Sequence, residues 1–124
     1  MLRIGVDLIE IARIEQGVAR HGQRFYERFF THQEQAQCEG RTASLAGRFA
    51  VKEAVAKALG TGIGDMRWLD IEIICDERGQ PRLFLHNQAQ QLADQLGLTE
   101  WAISISHTDS HAVGMATAIG IAKH

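Results

Sequence analysis

The chain has 124 residues, enough for one domain to bury a core without disulfide or metal staples. Thirteen Lys and Arg stand against fifteen Asp and Glu, a formal charge of -2, so no overall cationic field draws nucleic acid or an anionic membrane, and any anion site has to be local. The two cysteines, Cys38 and Cys75, form neither a disulfide framework nor a CxxC pair, and no apolar run approaches the roughly 20 residues that cross a bilayer. The expectation is a soluble, cytoplasmic protein of a single domain, residues 1–124, with no membrane or nucleic-acid partner.

Residues 2 to 7 alternate, with Leu2, Ile4 and Val6 on one side and Arg3, Gly5 and Asp7 on the other, the period of a half-buried strand with Asp7 at its exit. Ile11, Ile14 and Val18 then recur at helical spacing, and Phe25, Tyr26, Phe29 and Phe30 extend the helical reading into one or two short helices. Thr31 with Glu34 three positions on has the form of a capping box for another helix, which fades near Gly40. From about Thr42 to Leu59 the chain is rich in Ala, Leu, Lys and Glu, and Gly60 ends what reads as the strongest helix.

Gly60 to Gly64 is a loop, and Trp68 to Cys75 reads as a strand pairing across the turn Asp76–Pro81 with Arg82 to His86. Asn87 caps a helix striped by Ala89, Leu92, Ala93 and Leu96, which Gly97 ends. Two strands follow around a turn at Thr108-Asp109-Ser110. Trp101, Ile103 and Ile105 lie on one face of the first, and Val113, Met115, Thr117, Ile119 and Ile121 on one face of the second. The opposite face of that last strand, Ala112 to Gly120, is all small, so a helix or another subunit can approach it, core packing being the plainer account. Early helices and late antiparallel hairpins argue for an α+β fold.

The charges on the Thr42–Leu59 helix carry the chemistry. Glu53 and Lys57 are four apart in the favourable order for an ion pair, which alone is ordinary surface decoration. Arg48 and Lys52, also four apart, repel, and an anion between them would account for both. Gly47 costs about 1 kcal/mol relative to alanine inside a helix, so another group is expected close to it. Glu53 is ringed on the helical wheel by Ala46, Phe49, Ala50 and Gly60, a poor setting for an unpaired carboxylate. A hard cation shared with Asp7 relieves this, and magnesium takes such oxygen ligands and keeps waters and phosphate oxygens beside them. The Gly60–Gly64 loop lets backbone amides approach a phosphate, although a glycine after a helix is most often a plain cap. There is no GxxxxGK[ST], GxGxxG or HExxH run.

Gly5-Val6-Asp7-Leu8-Ile9-Glu10-Ile11-Ala12-Arg13-Ile14, followed by Arg48-Phe49-Ala50-Val51-Lys52-Glu53-Ala54-Val55-Ala56-Lys57-Ala58-Leu59-Gly60-Thr61-Gly62-Ile63, resembles the holo-acyl-carrier-protein synthases among the phosphopantetheinyl transferases, over nearly the whole chain. The resemblance implies an antiparallel sheet packed with a long central helix, a homotrimer with sites between subunits, and transfer of 4′-phosphopantetheine from coenzyme A to a serine of apo acyl carrier protein, releasing adenosine 3′,5′-bisphosphate. It implies Asp7 and Glu53 as magnesium ligands and Lys57 as the lysine that meets the coenzyme A phosphates. Arg48, Lys52, Gly60, Gly62, Ile63 and His107 then fall among the coenzyme-binding positions, His107 for binding rather than chemistry. The nucleophile belongs to the partner.

Arg13, Arg20, Arg24 and Arg28 suit an acidic carrier protein, the last three sharing a face beside Phe25 and Phe29 if their helix is unbroken, an exposed solvated face being the alternative. Two further readings compete. A non-catalytic trimeric binding module would have no use for Asp7, Glu53 and Lys57 together. A transferase for peptidyl or polyketide carrier domains, in relatives of that kind, duplicates the fold in one chain, which this length does not.

Overall fold

The computed structural model describes residues 1–64 and 66–120, so Ile121 of the last predicted strand lies outside the described residues. Strand β1 is Leu2–Glu10, followed by helices α1 (Ile11–His21), α2 (Gln23–Phe29), α3 (His32–Cys38) and α4 (Thr42–Leu59). A single 3₁₀ turn, Trp68–Asp70, leads into β2 (Ile71–Cys75), β3 (Pro81–Leu85), α5 (Asn87–Gln95), β4 (Leu98–His107) and β5 (His111–Gly120). The strands form two antiparallel sheets, β1-β5-β4 and the hairpin β2-β3. The α+β reading therefore holds, and α4 has the bounds read from its composition. No helix among the described residues is long and apolar enough to cross a membrane.

Local chemistry explains most boundaries. Thr31 Oγ1 accepts from Glu34 N–H while Glu34 Oε1 accepts from Thr31 N–H, the reciprocal box that starts α3. Gly60, at φ 87°, ends α4 and donates to the Ala56 and Lys57 carbonyls. Gly22, at φ 56°, breaks the run from Ile11 to Phe29 into two helices, so Arg20 does not continue the face of Arg24 and Arg28. Asp70 Oδ2 accepts from Arg67 N–H, which curls Trp68–Asp70 into a turn where a strand was expected. Asn87 opens α5 from within, at φ 47°, and its side chain ties to Asp70 Oδ1 rather than capping the helix.

Helix α4 lies across the three-stranded sheet, and half of its buried residues are Gly or Ala. The apposed sheet positions are small too: Ala112, Gly114, Ala116 and Ala118 of β5 are buried. A Cβ at Gly5 would overlap the Ala54 carbonyl oxygen, and one at Gly114 would overlap the Val51 amide. Backbone meets backbone at both points. The small face of β5 is thus the seat of a helix of the same chain. Gly47 also has its close neighbour, but it is the Ile105 side chain of β4.

Two apolar clusters flank this seam. One gathers Val55, Leu59, Ile71, Ile73, Ala89 and Leu98 beneath the hairpin and α5, and the other gathers Ile9, Ile11, Ile14, Phe30, Cys38 and Leu45 beneath α1 to α3. Both cysteines are free, and burial pushes the Cys38 thiol up to about 11. On β1 it is the Arg3, Gly5, Asp7 and Ile9 side that faces α4. The apolar row Leu2, Ile4, Val6 and Leu8 points outward, with Leu2 74% exposed, and Met115 and Ile119 of β5 continue it.

Candidate active site

Asp7 sits inside β1 rather than at its exit, paired with Gly114 and turned toward α4. The missing Cβ at Gly5 lets the helix descend beside it. Lys57 Nζ reaches across from α4 and donates to Val6 O at 3.0 Å and to Asp7 Oδ1 at 3.1 Å, with about half of its side chain exposed. It bonds to β1, and Glu53 is not its hydrogen-bond partner. Glu53, half-buried on the same flank of α4, has its carboxyl raised above the ordinary glutamate range. Burial is the main cause and the charge of Asp7 acts in the same direction, while Lys57 and Arg13 oppose them. Two carboxylates and an ammonium therefore meet where α4 crosses β1, with Arg13 of α1 near enough for its charge to be felt.

The structure corrects the reading of Arg48 and Lys52. Both side chains turn into the protein and so do not flank a site for an anion from outside. Lys52 is fully buried and spends its three donors on Glu34 Oε1 at 2.8 Å, Ile71 O at 2.6 Å and Trp68 O at 3.0 Å. Burial lowers the pKa of its ammonium, against the pull of Glu34. Arg48, 6% exposed, donates to Ile73 O and to Gln37 Oε1. The repulsion inferred from their spacing is answered by a carboxylate and by carbonyl oxygens. In the loop, the amides of Gly60 and Gly62 both bond to the last turn of α4, and Ile63 packs against the core.

A family model described as the 4′-phosphopantetheinyl transferase superfamily matches residues 3–116. The holo-[acyl-carrier-protein] synthase of Moorella thermoacetica is 50% identical over 119 residues, 94% of this chain and 92% of the relative. That of Herpetosiphon aurantiacus is 45% identical over 127 residues, 97% of this chain and 100% of the relative. The chain belongs to the holo-[acyl-carrier-protein] synthases of the 4′-phosphopantetheinyl transferase superfamily. Its fold agrees with the crystal structure of Helicobacter pylori holo-[acyl-carrier-protein] synthase in complex with coenzyme A, at a TM-score of 0.86 and 36% identity, covering 94% of this chain and 99% of the other.

In this synthase the remaining candidate residues separate into three places. Arg24, Arg28 and Phe25 line one groove of about 350 Å³ with His21 and Phe29, Arg28 lying over the Phe29 ring at 5.2 Å. Arg20 is exposed at the end of α1, outside that groove, and Arg13 belongs with Glu53. His107, exposed at the end of β4, pairs with Ala112, which in turn pairs with Ile9, so it stands two strands away from β1 and Asp7.

Sequence reading missed Glu34 as the partner of Lys52, since its capping role accounted for it fully. It also missed the stack of Phe49 on Trp68, with centroids 4.8 Å apart, one turn before Glu53. Lys52 had one signal, the uncompensated charge it shares with Arg48, and the stack had none beyond composition. Because the charge of Asp7 contributes to the raised Glu53 carboxyl, Asp7→Asn should lower the Glu53 pKa, read by carbon NMR titration of the side-chain carboxyl without divalent metal. An unchanged or higher value would show that burial alone sets it.

Proposed function

We propose that this chain transfers the 4′-phosphopantetheine arm of coenzyme A to a serine of apo acyl carrier protein, in support of fatty acid biosynthesis, with Asp7, Glu53 and Lys57 at the reacting end. The observation that carries the reading is the meeting of those three groups at the crossing of α4 and β1, in a chain half identical to a holo-[acyl-carrier-protein] synthase.

In the transfer, the carrier's serine oxygen bonds to the phosphorus nearest the pantetheine. The bond from that phosphorus to the bridging oxygen breaks, and adenosine 3′,5′-bisphosphate leaves with the electron pair. Lys57 holds two of its three N–H groups on β1 and keeps one for the departing phosphate. The serine proton passes to the Glu53 carboxylate, directly or through a water.

Charge balance favours a divalent cation as cofactor. Two carboxylates, Asp7 and Glu53, stand against two cations, Lys57 and Arg13, so the site is about neutral before a diphosphate arrives. Each carboxylate is a hard oxygen donor, the type magnesium takes while retaining waters. Asp7 and Glu53 would hold the ion, which when bound supplies positive charge to the diphosphate oxygens.

The outward row Leu2, Ile4, Val6, Leu8, Met115 and Ile119 supports the homotrimer. A contiguous apolar patch on a sheet is the mark of an interface, and α4, the central element of each subunit, covers only the other side. A neighbouring subunit would also bring His107, two strands from Asp7 in its own chain, to a shared coenzyme site. The groove at Arg24, Phe25 and Arg28 is the docking surface for the acidic carrier.

Incubated with coenzyme A, magnesium and apo carrier protein, the chain should add one phosphopantetheine to the carrier by mass spectrometry, and Glu53→Gln or Lys57→Ala should slow this about 100-fold or more; no mass gain with the native chain removes the proposal. Arg24→Glu should raise KM for the carrier several-fold and leave KM for coenzyme A alone, whereas the reverse pattern moves docking elsewhere. Ile4→Glu should sediment as monomer where the native chain sediments as trimer; a native monomer ends the trimer reading.

A further inference from the structure

The Lys52 and Glu34 pair lies in the interior, one residue from Glu53. Each side chain is fully buried, and each is completely bonded: Lys52 to Glu34, Trp68 O and Ile71 O, and Glu34 to Lys52, Thr31 N–H and Ile73 N–H. Thr31 extends the chain of bonds, donating from Oγ1 to Glu72 Oε2 at 2.6 Å, and Glu72 Oε1 lies 3.1 Å from His86 Nε2 at the surface. The middle of α4 is thereby fastened to α3, to the 3₁₀ turn and to β2.

Stability does not explain why this fastening is ionic. Apolar residues of similar volume commonly match or exceed a buried ion pair in stability, since both charges have lost their water. What the pair adds is direction. Where α4 meets β1 and β5, Gly5 and Gly114 lie bare under Ala54 and Val51, so backbone rests on backbone with little side-chain relief there to resist a slip or a roll of the helix. Three hydrogen bonds from one ammonium to three fixed oxygens admit one rotation and one height. Successive residues of a helix point about 100° apart, so fixing the direction of Lys52 fixes that of Glu53.

We infer that Lys52, through Glu34, is a positioning residue for Glu53: it sets the rotation of α4 that holds the Glu53 carboxylate beside Asp7, and it does not touch substrate. This rests on the reading of Glu53 as part of the reacting site. Errors of about 1 Å at a reacting centre cost on the order of 100-fold in rate, so the effect belongs in kcat.

The experiment compares the native chain with Lys52→Met, with the double variant Lys52→Met and Glu34→Leu, with Glu34→Gln and with Glu53→Gln, each assayed by phosphopantetheine transfer and by thermal unfolding. The Lys52→Met single variant should lose both stability and kcat, because Glu34 is left buried and unpaired. Removing both charges should restore the unfolding midpoint to within a few degrees of native, yet leave kcat at least tenfold low with KM for coenzyme A and carrier within about twofold. A double variant with native kcat overturns the inference, as does a tenfold rise in KM for coenzyme A at native kcat, which would make Lys52 a phosphate contact. If the double variant does not fold, Glu34→Gln decides: kcat several-fold low at unchanged KM supports positioning, and native kcat refutes it. Retained activity in Glu53→Gln is a separate result, since it would refute the role of Glu53 itself.

Discussion

The close approach of α4 to the backbone of β1 and β5 governs the rest of the molecule. At Gly5 and Gly114 there is no room for a side chain between helix and strand, so the distance between them is set by main-chain atoms. That distance is what allows Lys57, a residue of the helix, to reach the carbonyl of Val6 and the carboxylate of Asp7. A larger residue at either glycine would lift the helix and separate Lys57 from Asp7. Overpacked seams of this kind cost roughly 1 to 3 kcal/mol, and here the cost would fall on the site as well as on the fold.

A helix held so closely must also be held in one orientation, and its charges are sorted accordingly. Arg48 and Lys52 turn inward to Gln37, Glu34 and the carbonyls of Trp68, Ile71 and Ile73, while Glu53 and Lys57 turn along β1. Four charges within ten residues thus fall into two pairs, the inner one bonded within the protein and the outer one on the flank of α4 beside β1. No buried side-chain polar atom among the described residues lacks a partner, which is the condition under which buried charge specifies a fold rather than weakening it.

Much of this was legible in the sequence, and the limits have physical causes. The bounds of α4, the Thr31 and Glu34 box and both hairpins follow from local chemistry, which acts over a few residues and needs no tertiary information. Gly47 signalled a close neighbour but could not name it, and Ile105 comes from 58 positions away in the chain. Arg48 and Lys52 signalled a missing countercharge and suggested an anion from outside. The countercharge was Glu34, already accounted for as a cap, and one side chain performing two tasks is invisible to spacing. Gly22 decided whether Arg20 joins Arg24 and Arg28, and only its positive φ, a tertiary outcome, settles that.

The outward apolar row of β1 follows from the same geometry. A strand has two faces and a period of two, so Arg3, Gly5 and Asp7 cannot be placed under α4 unless Leu2, Ile4, Val6 and Leu8 point away from it. In most half-buried strands the apolar face is inside; here the inner face holds a glycine that lets the helix approach and an aspartate that bonds Lys57. The apolar side chains are then left on the surface in a continuous row with Met115 and Ile119, at exposures of 41 to 74%. Apolar side chains gathered in one row, unlike ones scattered singly, make a surface suited to contact with another. The requirement that α4 sit on bare backbone therefore brings Lys57 to Asp7 and, through strand periodicity, also leaves an apolar row on the opposite face of the sheet.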